Sequence, residues 1–383
     1  MSDEVLHIAG LSLALKRPGH GAIHLRGWDA ADELLLEYAR EQLATHRDQR
    51  VLVVDDQFGA LTLGLGGLFP ETSPVSLADS ATLAAALNFN SASMAHSAGP
   101  TSWLEPPRTN FDLVVLRIPR QADYLTWLLR WCNQLLSPDG VIIAGGMIKH
   151  LPDQSSKVFS ELVNTRTVSR AWKKARVIVS TPGDGTLESW GDHWQGYDLP
   201  GSSVRVDALP AVFSRRKLDI GTRELLPVMG HRVADLPAGS RLLDLACGNG
   251  VLGLGALSLR QDLEVTFSDV SSQAVLSARH NVGRAFPQAR ARFVHCDGVP
   301  PGTEKFDLIL LNPPFHEGGV VGDHIALSLF RQAAARLAPG GRVLVVGNRH
   351  LGYHRSLNQS FCLVRRLASS PKFVVFEAGH QPP

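Results

Sequence analysis

Cysteine is scarce in this chain, and the few residues are scattered. Cys132, Cys247, Cys296 and Cys362 form no Cys-x-x-Cys pair. No zinc site or disulfide framework is therefore expected, which fits a reducing cytosol. Charge of one sign is also lacking. The formal net charge is only +2, so overall charge neither demands nor excludes a nucleic acid, and any basic surface must be local. No apolar run approaches the roughly 20 residues needed to cross a bilayer. The start, Met1-Ser2-Asp3-Glu4, is acidic and shows no signal-peptide pattern. These absences point to a soluble cytoplasmic protein with neither membrane span nor metal. A length of 383 residues predicts two domains, each able to bury its own core.

What is present alternates. Residues 28–43 have helical periodicity behind Asp29, a suitable N-cap. Residues 50–55 read as a buried strand, 59–67 as a glycine-rich run able to open a helix, and 74–77 as a short strand near Asp79. A helix over 81–87, a strand over 111–116 stopped by Pro119, a helix over 122–136 and a strand over 141–144 follow. The second half repeats this pattern. Residues 241–245 form a strand before Cys247-Gly248-Asn249-Gly250, and 264–269 a strand ending in Asp269. Residues 292–295 lead to Asp297, and 306–311 run into Asn312-Pro313-Pro314-Phe315. A helix over 325–337, a strand over 342–346 and two closing strands over 361–367 and 372–376 complete it. Strands alternating with helices predict parallel sheets.

The halves match in order. VLVVDDQFGALTLGL answers RLLDLACGNGVLGLG, FDLVVLRIPR answers FDLILLNPPF, and LLSPDGVIIAGGMIKH answers RLAPGGRVLVVGNRH. The offset is about 190 to 200 residues, a duplicated domain and not a solenoid period. The copies differ in chemistry. Val53 stands for Asp244, Gln57 for Gly248, Phe58 for Asn249, Arg117 for Asn312 and Arg120 for Phe315; Gly59 and Asp79 remain of a ligand-binding type. The expected organisation is a degenerate domain over 1–185, a linker or hairpin over 186–205, and a catalytic domain over 206–383. A basic run, Arg166, Arg170, Lys173, Lys174 and Arg176 around Trp172, lies near that junction.

The second half carries the chemistry. In Asp244-x-x-Cys247-Gly248-x-Gly250, glycines admit a ligand where a side chain would clash. Asp269, about 20 residues on, suits a ribose diol. Gly253 completes a spacing that a dinucleotide fold would share; Asp244 inside its strand, Asp297 and the Asn-Pro-Pro-Phe stretch argue against that fold. In that stretch the prolines stop a buried strand, since neither can donate to a ladder. An amide, a carbonyl and an aromatic ring are thereby left at the carboxyl end of a strand, where open α/β sheets bind ligands. Each residue also has a purely structural reading: strand-end or cap carboxylates for Asp244 and Asp269, a turn acid for Asp297, packing on its own sheet for Phe315. Cys247 has no base paired with it and reads as a small loop filler. His316, His350 and His354 read as surface or structural residues.

On these motifs the second half resembles class I S-adenosylmethionine-dependent methyltransferases, and its Asn-Pro-Pro-Phe resembles that of amino-group methyltransferases. NPPFHEGG, NRHLGYH and KFVVFEA, with a degenerate first copy, are similar to stretches of the bacterial ribosomal RNA (guanine-N2) methyltransferases. The likeness covers essentially the whole chain, and is nearer to members acting on 23S than on 16S rRNA. It implies an α/β fold of two tandem Rossmann-like class I methyltransferase domains, the N-terminal one degenerate and docking RNA. It implies S-adenosyl-L-methionine as cofactor. Gly248 and Gly250 would line its methionine part, with Asp244 near the amino group and Asn312 also against the cofactor. Asp269 would hold the ribose hydroxyls and Asp297 the adenine amino group. Residues 213–222 would cover the cofactor. Asn312 and the Pro313 carbonyl would accept from a guanine exocyclic amine, and Phe315 would stack on the extruded base. The implied partner is ribosomal RNA, 23S favoured, with the protein a monomer. Residues 166–176, Arg215-Arg216-Lys217, and Arg349-His350 with Arg355 are the candidate RNA contacts. The alternatives are a 16S rRNA guanine, an adenine N6 in DNA, a protein glutamine, or a binding module that has lost catalysis. The intact Asp244, Gly248, Gly250, Asp269 and Asn312 argue against the last.

Overall fold

The computed structural model describes residues 5–18, 26–46, 48–91, 99–314 and 324–380. The chain divides into two units, Met1–His193 and Trp194–Pro383. The first opens with an antiparallel hairpin, β1 (Val5–Ile8) and β2 (Leu11–Ala14). It continues through α1 (Ala30–Thr45), β3 (Val51–Val54), α2 (Ala60–Leu68), β4 (Val75–Leu77), α3 (Thr82–Asn90), β5 (Phe111–Arg117), α4 (Ala122–Leu135), β6 (Leu136–Met147), α5 (Ser155–Leu162), β7 (Val163–Val168) and β8 (Ala175–Pro182). The second unit opens with another hairpin, β9 (Gln195–Asp198) and β10 (Arg205–Ala208). It continues through α6 (Ile220–Ala234), β11 (Arg241–Leu245), α7 (Val251–Leu259), β12 (Glu264–Asp269), α8 (Ser272–Ala285), β13 (Arg290–His295), β14 (Phe306–Leu311), α9 (His324–Ala335), β15 (Leu337–Asn348), α10 (Tyr353–Leu357), β16 (Leu363–Ser369) and β17 (Phe373–Gly379).

The sheet orders carry the duplication. The first unit runs β4-β3-β5-β6-β8-β7, and the second β13-β12-β11-β14-β15-β17-β16. Among the described residues, each strand apart from β13 has its counterpart. β8 and β17 are the antiparallel members beside β6 and β15. Outside β4, where β13 would lie, the described residues show a single parallel bridge, Leu77 to Thr101. Crossover connections bury both faces of the central strands, which is why β14 is continuously apolar from residue 308 to residue 311. Its Leu308 and Leu310 enter one core cluster with α6 and α7, while Ile309 and Leu311 enter another with α9.

Within the second unit, α7 packs tightly on β12. A Cβ on Gly253 would lie 2.2 Å from Cε1 of Phe267, a fully buried ring. Gly253, the third glycine of the motif and already inside α7, therefore serves helix-on-sheet packing. The hairpin ahead of α6 is held differently. Gln273, Ser277 and Asn281 recur every fourth residue on α8, one helical face. Their side-chain oxygens accept from the backbone N–H groups of Ala211 (2.8 Å), Leu209 (3.0 Å) and Asp207 (2.9 Å), every second residue from β10 into the turn that follows it. The expected linker is thus split. Residues 185–190 bond to α4 in the first unit through Arg130 and Asn133, whereas β10 and the chain beyond it bond to α8 in the second.

Gly253→Ala should cost about 1–3 kcal/mol of stability, the usual price of overpacking a filled core. A denaturant midpoint equal to that of the unsubstituted protein would remove the packing role.

Candidate functional site

Register brings the site residues to one edge. β11 lies between β12 and β14, and Leu245 pairs with both Ser268 and Leu311. The loop after β11, Asp269 and Asn312 therefore emerge side by side at the carboxyl ends of neighbouring strands. β13 adds Asp297 at the same edge, following Cys296, whose N–H donates to the Asp269 carbonyl at 3.0 Å.

The loop after β11 separates the roles of its glycines. Gly248 has φ +55, and a Cβ there would meet nothing within 4 Å, so its missing side chain leaves open space. Gly250, at φ +81, is the N-cap of α7, and a Cβ there would meet Ala278 at 3.0 Å. Left-handed φ favours glycine at both. Gly248 faces open space, and Gly250 turns the chain and admits α8. Asp269 fixes the loop: its Oδ2 accepts from the Gly248 N–H (2.8 Å) and its Oδ1 from the Ser271 N–H (2.9 Å). Tyr197 and Asn281 brace it from the far side, through the Asn249 side chain (3.2 Å) and carbonyl (3.0 Å).

Asp244 is buried. Its Oδ2 accepts from the Gly253 N–H at 2.8 Å, and its Oδ1 has no partner among the described residues. Burial pushes its pKa up to about 8, the charge of Asp269 adding and the Gly253 bond opposing. Burial, with the charges of Asp269 and Asp244, also pushes the Cys247 thiol well up. A protonated thiol is no nucleophile, in agreement with its reading as a filler.

Asn312 ends β14 as expected, with Pro313 buried after it. Its Nδ2 donates to Asp219 Oδ2 and to Thr222 Oγ1, each at 3.0 Å. Its Oδ1 is buried and unpartnered among the described residues. Asp219 is the N-cap of α6 and accepts from the Thr222 N–H at 2.9 Å. Sequence reasoning placed Asp219 and Thr222 only in a covering segment. The available signal was Asp-x-x-Thr at a helix start, which announces a cap but not a partner 90 residues away. Phe315 and His316 lie outside the described residues.

The first unit has the same triangle with different chemistry. Asp29 caps α1 and Asp32 follows it, as Asp219 and Thr222 do in α6. Arg117 takes the place of Asn312 and bonds both: Nη1 to Asp29 at 2.8 Å and to Asp32 at 2.9 Å, Nη2 to Asp29 at 3.0 Å. Burial raises the Asp32 pKa, and the Arg117 cation opposes it. Beside Gly59, which keeps the left-handed cap, Leu87 fills the space: a Cβ there would be 2.9 Å from its Cδ2. Asp79 lies one residue beyond the counterpart of Asp269.

Of the basic candidates, Arg166, Arg170, Lys173 and Lys174 are exposed, as are Arg216, Lys217, Arg349, His350 and Arg355. Arg215 is buried and its Nε donates to the Ala208 carbonyl at 3.3 Å, so it is structural. Among the described residues no His, Cys, Asp and Glu group could hold a metal, and no helix is long and apolar enough to cross a membrane.

The residues fit S-adenosylmethionine: open space over Gly248 and an orphaned buried carboxyl oxygen on Asp244 suit a cationic amino acid moiety beside the loop. Comparison with known proteins agrees. Residues 203–377 match the Methyltransferase small domain, and residues 3–184 the RLMG N-terminal domain. A solved T. Thermophilus 16S rRNA N2 G1207 methyltransferase, in complex with AdoMet and guanosine, superposes with a TM-score of 0.76 at 24% identity, over 98% of this chain and 97% of that one. It establishes the class I methyltransferase fold across both units. Among curated proteins, the ribosomal RNA large subunit methyltransferase G of Alcanivorax borkumensis is 39% identical over 94% of this chain and 92% of its own. That of Pseudomonas putida is 37% identical over 95% and 96%. At that identity over nearly the full length of both partners, the chain belongs to the ribosomal RNA large subunit methyltransferase G family.

Proposed function

We propose that the chain transfers a methyl group from S-adenosylmethionine to the exocyclic N2 of a guanine in 23S rRNA, in the cytoplasm and as a monomer. The observation that carries this reading is the Asn312 amide, whose nitrogen is taken up by Asp219 and Thr222 while its buried oxygen is left to accept. The family's naming for the large subunit favours 23S over 16S rRNA.

A guanine amine is a weak nucleophile because its lone pair is delocalised into the ring. S-adenosylmethionine supplies an already activated methyl group on a sulfonium. The protein's work is therefore alignment and charge stabilisation. Asn312 Oδ1 and the Pro313 carbonyl would accept the two amine hydrogens, localising the lone pair and steadying positive charge as it develops on nitrogen. Such positioning can contribute about 7–11 kcal/mol. Asp244 would face the cofactor's amino group, Gly248 would leave room for the chain beside it, and Asp269 and Asp297 would hold ribose and adenine. N2 lies on the pairing edge, so the base must leave its stack; Phe315 is assigned the stacking role on sequence alone.

The first unit would dock RNA. Its counterpart of the site is closed by Arg117, and the exposed Arg166, Arg170 and Lys174 lie on β7 and the turn that follows. That turn is strained. Trp172 and Ala175 exchange backbone hydrogen bonds of 3.0 and 2.7 Å, and both intervening lysines have left-handed φ, +44 and +64, where Asn-Gly is the usual choice.

Unmodified 23S rRNA incubated with methyl-labelled cofactor should yield labelled N2-methylguanosine, and Asn312→Ala should abolish this while binding cofactor near normally. Label confined to 16S rRNA, or near-normal turnover by Asn312→Ala, would overturn the assignment. Cofactor affinity should rise with pH and stop rising near 8, by at most about tenfold per pH unit. The sign follows from Asp244, whose free carboxyl holds its proton up to about pH 8 and must release it as a cation is seated. Calorimetry in buffers of different ionisation heat measures that proton, and Asp244→Asn should abolish it. Replacing Arg166, Arg170 and Lys174 by Ala should weaken RNA binding and flatten its salt dependence by about 0.7 per lost phosphate contact, leaving cofactor affinity unchanged; an unaltered salt slope would remove this face from the docking surface.

A further inference from the structure

We propose that Asp219 and Thr222 fix the orientation of the Asn312 amide, and so determine that the site accepts hydrogens from an amine. This inference deepens the reading of Asn312 above and rests on it.

An Asn side chain can present either its oxygen or its NH2 group in the same place, and its partners decide which. A carboxylate is an acceptor only. Asp219 Oδ2, 3.0 Å from the amide, therefore binds the NH2 end and rejects the oxygen end. Thr222 Oγ1, also at 3.0 Å, takes the second amide hydrogen. Both hydrogens are used, and Oδ1 is left buried and unpartnered among the described residues. A turned amide would set two acceptors against each other and offer a second donor to a substrate amine. The carboxylate has a further effect: it polarises the amide and strengthens Oδ1 as an acceptor for developing positive charge.

The carboxylate is itself held in place. Its Oδ2 caps α6 by accepting from the Thr222 N–H, and a Cβ on Gly221 would lie only 3.0 Å from that oxygen. Towards its other end α6 is tied to the sheet by Arg232, 2.6 Å from the buried Glu377 on β17. The first unit supplies an internal control. There the cap-to-strand-end contact survives as Asp29 and Asp32 with Arg117, whose guanidinium only donates. The contact itself is architecture common to both copies; what it orients depends on the residue ending the strand.

The test uses the full-length enzyme, unmodified 23S rRNA, and three variants. Asp219→Ser keeps a good N-cap and is too short to reach Asn312. Asp219→Asn keeps an oxygen at the right length. Thr222→Val removes the second acceptor. Single-turnover methyl transfer by Asp219→Ser should fall about 100-fold. Its cofactor affinity by calorimetry and its half-saturating RNA concentration should stay within about threefold of the unsubstituted enzyme. Asp219→Asn should recover to within about tenfold, and Thr222→Val should fall between. The inference is overturned if Asp219→Ser turns over normally, if its loss appears in cofactor affinity, or if Asp219→Asn is as inactive as Asp219→Ser at an equal thermal midpoint. An unsubstituted enzyme that methylates no guanine would instead overturn the reading on which it rests.

Discussion

The meeting of a helix start with a strand end organises the candidate site. β14 is central, paired on both sides by parallel neighbours, and it stops at Asn312 because two prolines follow. α6 begins at Asp219, whose carboxylate must find donors. Bringing these together satisfies the cap, fixes the amide and anchors the chain entering the unit. The parallel register then does the rest, since it brings the β11 loop, Asp269 and Asn312 to the same edge.

The two copies show what such a contact can become. In the second unit it leaves a buried acceptor facing inward. In the first it is a closed ionic cluster: Arg117 lies among Asp29, Asp32 and Asp56, and a leucine fills the space beside the left-handed glycine. Breaking that cluster would strand carboxylates in the interior, at a cost of about 3–5 kcal/mol. The first copy has thus exchanged a binding edge for internal cohesion while keeping the strand order.

Much of this was legible in the sequence. The buried strands, the strand-end residues Asp269 and Asn312, and the duplication follow from short apolar runs and from turns that prolines and glycines punctuate. Three things were not legible. Spacing cannot say what a glycine makes room for: Gly248 opens onto space, Gly250 admits α8, and Gly253 admits Phe267. A basic residue in a basic run need not face water, as Arg215 shows by bonding the Ala208 carbonyl. The partners of Asn312 were also hidden, because the contact joins residues 90 apart and exists only once α6 docks on the sheet.

The strip of side chains on α8 has a consequence for variation. Gln273, Ser277 and Asn281 grip backbone N–H groups of the segment they hold, and not its side chains. That segment is recognised as a shape. Its own residues are held by a different rule: Val206, Ala208 and Leu209 are buried, and the Asp207 carboxylate pairs with Arg284 of the same helix. Substitution tolerance should therefore follow hydrogen-bonding chemistry on the helix face and apolar volume on the strand.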